Sequence, residues 1–411
     1  MLKGFRFVSL SMTGAIIITV CALLLIAYLF DLTSAKTKVP SVIMLLFLGW
    51  LVQQGSVLMK ITIPDLSALL PILGTIGLIL IVLEGSLELE FNRSKIPLIK
   101  RSFAMALLPI IALSFLFAFL FMNYSGVPFK DALLNAIPFS VISSSIAIPS
   151  MRDQSKENKE FIIYESSLSD IIGILFFNFI AYNTTINAVS FGYFGLELLI
   201  MAGISFIATI GLALLLSKID HHIKFAPIII LIILVYEISK IYNLPALLFI
   251  LLLGIFLGNL DELKRFKWIQ KLKPHELNIE IHKFRELTTE ATFLIRTVFF
   301  LLFGYLMQTA EILNAATFWW ALVIVAAIFI LRAILMKVFK FPQVPLLFVA
   351  PRGLINILLF LSIIPEKAIP FVNKSLIVQV IFLTAIIMMI GLIVTKKNTE
   401  PVIAEVDQVA E

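Results

Sequence analysis

The sequence predicts an all-α polytopic membrane protein of about 13 transmembrane helices. It also predicts inverted repeats, with the fifth and twelfth helices discontinuous. Three observations carry this. Of 411 residues, 60% are hydrophobic and 14% charged, against about half and about a quarter in a soluble domain, and the mean hydropathy is +1.05. Apolar runs near the ~20 residues needed to cross a bilayer recur from residue 14 to residue 395. Finally, Pro40-Ser-Val-Ile-Met-Leu-Leu-Phe-Leu-Gly49 returns as Pro245-Ala-Leu-Leu-Phe-Ile-Leu-Leu-Leu-Gly254. A cytosolic nucleic-acid binder, a secreted disulfide scaffold and a disordered regulator are excluded.

The spans are expected at 14–30, 39–55, 66–88, 102–122, 131–149, 161–182, 189–216, 225–240, 245–260, 288–307, 313–337, 343–364 and 375–395. None shows the alternation of a membrane β-barrel. An odd number of spans puts the termini on opposite sides, and Lys and Arg decide which. With the N-terminus outside, the inner connections hold 22 of the 32 Lys and Arg, including the basic stretch from Lys264 to Arg285. The outer segments hold seven (Lys3, Arg6, Lys60, Lys130, Lys240, Lys367, Lys374), and Arg296, Arg332 and Arg352 lie within spans. The expected orientation in the cell inner (plasma) membrane is N-terminus outside and C-terminus cytoplasmic. That bias explains the net charge of +6 without an anionic partner, and no nucleic acid is expected. Residues 396–411 are expected to be a short cytoplasmic tail without a folded regulatory domain.

The repeat offset from Pro40 to Pro245 is 205 residues, or seven spans, so the second copy is inverted. The same shift carries the fifth span onto the twelfth. These two are the most interrupted: Ala136-Ile-Pro138-Phe-Ser-Val-Ile-Ser143-Ser144-Ser145-Ile-Ala-Ile-Pro149 and Pro345-Leu-Leu-Phe-Val-Ala-Pro351-Arg352-Gly353. Matched broken spans in inverted halves point to a transporter's midplane site. Unwound backbone survives at membrane depth only where it is buried or lines a cavity.

The sixth span contains Glu165-Ser166-Ser167-Leu168-Ser169-Asp170. Asp170 falls near its middle, where an acid costs ~2.5–3.5 kcal/mol on insertion scales and normally faces a polar cavity or a partner. Ser166 and Asp170, at i and i+4, share a helix face. Glu165 lies about 7.5 Å nearer the cytoplasm at 1.5 Å per residue. Arg332 is expected at the same depth in the eleventh span, which makes an ion pair. Arg352 lies in the middle of the broken twelfth span, where it can face the dipole ends of half-helices or hold cations off until a carboxylate is free. Glu84, near the inner end of the third span, is a second candidate acid. Arg296 has no assignable partner, and Asn135 and Asn178 read as helix-packing residues.

A buried charge must be compensated. A proton can neutralise a carboxylate, and a small hard cation takes oxygen ligands. Asp170, Ser166 and the Ser143–Ser145 break offer carboxylate, hydroxyl and freed carbonyl oxygens. One site holding either a proton or a cation, open to each side in turn, is an exchanger. No enzymatic step and no cofactor are required. The single cysteine, Cys21, permits no intramolecular disulfide, and the four histidines lie in polar connections. A hydrolase at Ser166 or Ser167 is disfavoured, because no His or Lys lies at membrane depth to serve as a base.

Four elements resemble the monovalent cation:proton antiporter superfamily, on its sodium/proton exchanger side. Glu165-Ser-Ser-Leu-Ser-Asp170 resembles its E-S-x-x-N-D element and Glu84-Gly-Ser-Leu its F-E-G-G-L element. Leu331-Arg332-Ala333 resembles its R-A element and Pro351-Arg352-Gly353-Leu354 its L-R-G element. The resemblance implies a homodimer with an interface domain (14–91 and 189–310) and a moving, ion-carrying core (102–182 and 313–395). It implies that Asp170 carries the cation (Na⁺, Li⁺ or K⁺) and the proton, with Ser166 and Glu84 as helpers. Glu165 and Arg332 would then be the ion pair, and Arg352 would steady the crossed helices. Two departures stand out. The Asn before the carrier Asp is Ser169, which implies electroneutral exchange. The acidic T-D-P crossing is replaced by Ser143-Ser144-Ser145, which keeps open a non-transporting membrane sensor or assembly protein.

Overall fold

The computed structural model describes residues 12–37, 39–60, 65–89, 93–151, 154–183, 187–218, 225–242, 244, 246–260 and 274–396. Most of the basic stretch from Lys264, the tail beyond 396, and His221 and His222 lie outside the described residues.

Among the described residues, fifteen α-helices follow one another and there is no strand. They are α1 (Met12–Thr37), α2 (Ser41–Leu58), α3 (Leu69–Glu88), α4 (Ile96–Ser125) and the pair α5 (Phe129–Ser140) and α6 (Ser144–Ser150). Then come α7 (Lys156–Tyr182), α8 (Ala188–Lys218), α9 (Phe225–Ile241), α10 (Ala246–Gly258) and α11 (Pro274–Tyr305). The last are the short connector α12 (Thr309–Ile312), α13 (Ala315–Val338), α14 (Leu354–Leu361) and α15 (Lys374–Lys396). Counting α5 with α6, and the short 3₁₀ turn Leu346–Phe348 with α14, gives the thirteen expected segments in their expected order.

Nine of these segments are long and apolar enough to cross a membrane by length and composition. The other four fall short for visible reasons. The α9 and α10 helices have 17 and 13 residues, and the twelfth segment is broken. The 27-residue α7 carries Lys156, Glu157, Lys159, Glu160, Glu165 and Asp170, so the helix richest in chemistry looks least like a span. The largest departure from an expected bound is in α11, which starts at Pro274 rather than near residue 288, because an amphipathic, charged stretch continues the helix beyond the apolar run. The α1 helix also runs on to Thr37, past its expected end at 30.

Local chemistry sets several helix ends. The α4 helix has Pro97 in its first turn and stops at Gly126 with φ +67°, a left-handed C-terminal position that favours glycine. Ser155 caps α7 by accepting from the Asn158 N–H, and Asn314 caps α13 by accepting from the Ala316 N–H. The repeated motif starts a helix in both copies: α2 begins directly after Pro40, and α10 begins at Ala246.

The helices pack in two sets. In one, α2 and α3 lie against α11, α3 and α8 against α10, and α1 against α2 and α11. In the other, α4 packs on α5, α7 and α13, and α13 packs on α15. The α3 helix touches both sets, reaching α6, α7 and α14. Membrane helices associate by close approach of small residues, and the repeated glycines serve this in both copies. A Cβ at Gly49 would strike the Leu301 carbonyl, and one at Gly304 would strike the Leu46 carbonyl. A Cβ at Gly254 would strike the Ser86 side chain. Gly304→Ala is therefore expected to destabilise by ~1–3 kcal/mol through overpacking. Thermal unfolding in detergent should show a lowered midpoint, whereas Gly55→Ala, with nothing within 4 Å of the added methyl, should leave it unchanged or raise it.

Candidate functional site

A helix end leaves carbonyls and amides without intrahelical partners, and two such ends meet where the broken segments cross. The first segment is non-helical at 141–143 and the second at 349–353. The Ser143 N–H donates to the Pro351 carbonyl at 3.0 Å, joining the two breaks directly. Asn356 Nδ2 donates to the carbonyls of Pro138 (2.6 Å) and Val141 (2.8 Å), and its Oδ1 accepts from the Gly353 N–H at 2.6 Å.

Arg352 supplies further donors. Nε donates to the Phe139 carbonyl at 2.9 Å, Nη2 to the Ser140 carbonyl at 3.2 Å and Nη1 to the Ala350 carbonyl at 2.7 Å. Its backbone N–H donates to Thr384 Oγ1 on α15 at 3.1 Å. The guanidinium sits at the C-terminal end of α5, where a positive charge meets the negative end of the helix dipole. Only 1% of this residue is exposed.

Asp170 lies against the first break. One carboxylate oxygen, Oδ2, accepts from the Ser144 hydroxyl and, at 3.3 Å, from the Ser144 N–H. The other, Oδ1, is buried and has no hydrogen-bond partner. A buried polar atom left unmatched is costly. Ser166 shares the helix face but donates to the Ile162 carbonyl at 2.7 Å, so the hydroxyl bonded to Asp170 is Ser144's. Ser169 accepts from the Ile142 N–H at 2.9 Å and so satisfies the broken backbone. Ser143 and Ser145 hydroxyls bond each other at 2.8 Å.

Glu165 and Arg332 form a bidentate pair at 2.6 and 2.8 Å, with Arg332 Nε donating to the Leu346 carbonyl at 3.0 Å. The pair joins α7, α13 and the second broken segment. Asn135 donates to the Lys367 carbonyl and accepts from the Ile369 N–H, fastening α5 to the chain after α14.

A cavity of about 560 Å³ opens beside this site and is lined by Ser144 and Ser145 together with Asp31, Glu84, Glu88, Glu290, Lys159 and Arg296. Ser144 thus has Asp170 on one side and the cavity on the other. Glu84 is partly buried, with Arg296, Thr289 and Thr292 around it. Arg296 donates to the Ser145 carbonyl at 3.3 Å and lies 3.9 Å from Asp31. A second cavity of about 420 Å³ lies at the opposite ends of α3 and α7, lined among others by Pro71, Asn178, Tyr236, Lys240 and Lys367.

The sequence reading overlooked Asn356, Thr384 and Asp31. Asn356 had a readable signal, because it is a lone amide in an apolar run three residues after Gly353. Asp31 sits at the edge of the first span and reads as an ordinary interfacial acid.

Two crossed, interrupted helices in inverted halves, holding a buried acid near a cavity, define a secondary-transporter fold. The profile described as "Sodium/hydrogen exchanger, transmembrane" matches residues 21–396. The chain belongs to that family, a family of transporters rather than of catalytic enzymes. Among solved structures, an electron-microscopy structure of the sodium proton antiporter MjNhaP1 from Methanocaldococcus jannaschii aligns with a TM-score of 0.65 at 18% identity, covering 93% of this chain and 95% of that one. The same antiporter at pH 8 aligns with a TM-score of 0.63 at 17% identity, over 94% and 100% of the two chains. At these identities the likeness is one of fold. Among curated protein sequences, none matches the chain.

Breaking a buried ion pair by removing one partner costs ~3–5 kcal/mol. Arg332→Met is expected to lower the thermal midpoint of the purified protein strongly. Adding Glu165→Gln should restore part of the loss, because no unpaired charge then remains buried.

Proposed function

We propose that this chain is a secondary active antiporter exchanging a monovalent cation, Na⁺ or K⁺, for H⁺ by alternating access. Asp170 is the shared carrier. The observation that supports this most is the environment of its carboxylate: buried, half satisfied by Ser144, and one residue from an acid-lined cavity. A buried carboxylate needs a compensating charge, and a proton and a cation can each supply it but exclude one another. Ser143, Ser144, Ser145 and Ser166 provide further oxygens for a hard cation. Glu84, in the cavity wall, draws cations toward the site.

The rest of the arrangement is structural in this reading. Glu165 with Arg332 holds α7 to the second broken segment, Arg352 holds the crossing, and Ser169 holds the first break. One carrier carboxylate exchanging one proton for one monovalent cation makes the cycle electroneutral. The packing of the helices into two sets supports a division into an interface part (14–91 and 189–310) and a moving core (102–182 and 313–395). The family resemblance supports a homodimer in the plasma membrane. The Lys and Arg bias supports an outside N-terminus and a cytoplasmic C-terminus, which puts the acid-lined cavity on the cytoplasmic side.

The all-serine crossing favours a second reading, an antiporter-like sensor or assembly protein that moves no ions. Flux decides between them. In proteoliposomes, an imposed Na⁺, Li⁺ or K⁺ gradient is expected to move protons, and Asp170→Asn should abolish this. No cation-driven proton movement by the wild type would favour the sensor. Because a hydrogen bond to a charged group is worth ~1.5–3 kcal/mol, Ser144→Ala should raise the half-saturating cation concentration about tenfold or more. A concentration series in the same assay measures this.

A further inference from the structure

Arg296 is a cation already present at the end of the acid-lined cavity. It is 7% exposed and comes from α11, in the set of helices that includes α1 and α3. Its guanidinium has neighbours on other helices, among them Asp31 on α1 at 3.9 Å, Glu84 on α3, and the Ser145 carbonyl on α6 at 3.3 Å. The first two belong to its own helix set, whereas Ser145 lies in the broken segment beside Asp170. Ser145 O is an oxygen that an incoming cation would use, next in sequence to the serine bonded to Asp170. The guanidinium therefore rests on the approach to the ion site, held there by carboxylates and bonded to a candidate ligand.

We propose that Arg296 is an internal competitor for the cation. It occupies the Ser145 carbonyl until an ion of sufficient concentration displaces it, and in doing so it also latches α11 to α6. This inference rests on the antiporter reading and assigns Arg296 a positioning role within it. Displacement frees the Ser145 carbonyl for the ion and removes a hydrogen bond between the two helix sets. Loading of the site is thereby tied to release of the latch. Asp31 and Glu84 keep the displaced guanidinium nearby, so that it returns when the ion leaves. The consequence is a concentration threshold for the cation, set by a side chain that does not touch Asp170.

Two measurements on the full-length protein test this. The first is thermal stabilisation of purified protein by NaCl, with choline chloride holding ionic strength constant. The second is Na⁺-driven proton flux in proteoliposomes. Arg296→Gln is expected to lower the half-saturating Na⁺ concentration several-fold in both, whereas Arg296→Lys, which keeps the charge, should stay close to wild type. Should Arg296→Gln not yield folded protein, Arg296→Met carries the same expectation. An unchanged or raised half-saturating concentration overturns the proposal. So does an equal drop in the lysine variant, because charge would then not be the cause. Should the wild type show neither Na⁺-dependent stabilisation nor flux, the antiporter reading falls and this inference with it. Wild-type flux with a wild-type-like glutamine variant overturns this inference alone.

Discussion

Breaking two helices inside a membrane leaves peptide groups without partners in a place where water cannot supply them, and the rest of the structure answers that constraint. Arg352 is the main answer. Its side chain fills three carbonyls across both segments, and Asn356 fills two more. A lysine could offer neither the planar geometry nor the number of donors. Once the end of α5 is neutralised in this way, the turn through 141–143 can be held open. Ser144 then presents both its amide and its hydroxyl to Asp170. The site is thus a by-product of satisfying the backbone, and Asp170 has its surroundings because the crossing is rigid.

The two cavities follow from the same geometry. They lie at opposite ends of α3 and α7, and the crossing lies between them. Their linings differ in sign. One carries Asp31, Glu84, Glu88 and Glu290 with Lys159 and Arg296, while the other carries Lys240 and Lys367 and, among the described residues, no carboxylate. Fields in such clefts concentrate ions of one sign and repel the other. The acidic cavity ends at Ser144 and Ser145, so a cation collected there arrives beside the serine that bonds Asp170. Helix α3 takes part in both linings and touches both helix sets, which makes it the element along which any relative motion would be felt.

Much of this was legible in the sequence because membrane burial makes rules strict. Apolar length gave the segments, and the Pro40 and Pro245 repeat gave the inverted halves. Prolines at 138, 149, 345 and 351 marked the two interruptions. Charges placed where lipid forbids them marked Glu165, Asp170, Arg332 and Arg352. What stayed hidden was which oxygen meets which. Helical spacing puts Ser166 on the face of Asp170, but a hydroxyl inside a helix finds the carbonyl four residues back first, and Ser166 does so at Ile162. The partner comes from the break, 26 residues away in sequence. Arg296 could not be paired from spacing for the same reason, since its neighbours sit on α1, α3 and α6. Periodicity reports a helix's own face, whereas neighbouring helices are chosen by close packing, as at Gly49, Gly254 and Gly304.

In the proposed cycle a proton and a cation compete for the Asp170 carboxylate. The most direct test adds NaCl to purified protein in weakly buffered detergent solution and follows released protons with a pH indicator. Release of about one proton per protomer is expected, saturating with Na⁺ and absent in Asp170→Asn. Na⁺ binding without proton release, or release that persists in Asp170→Asn, would contradict it.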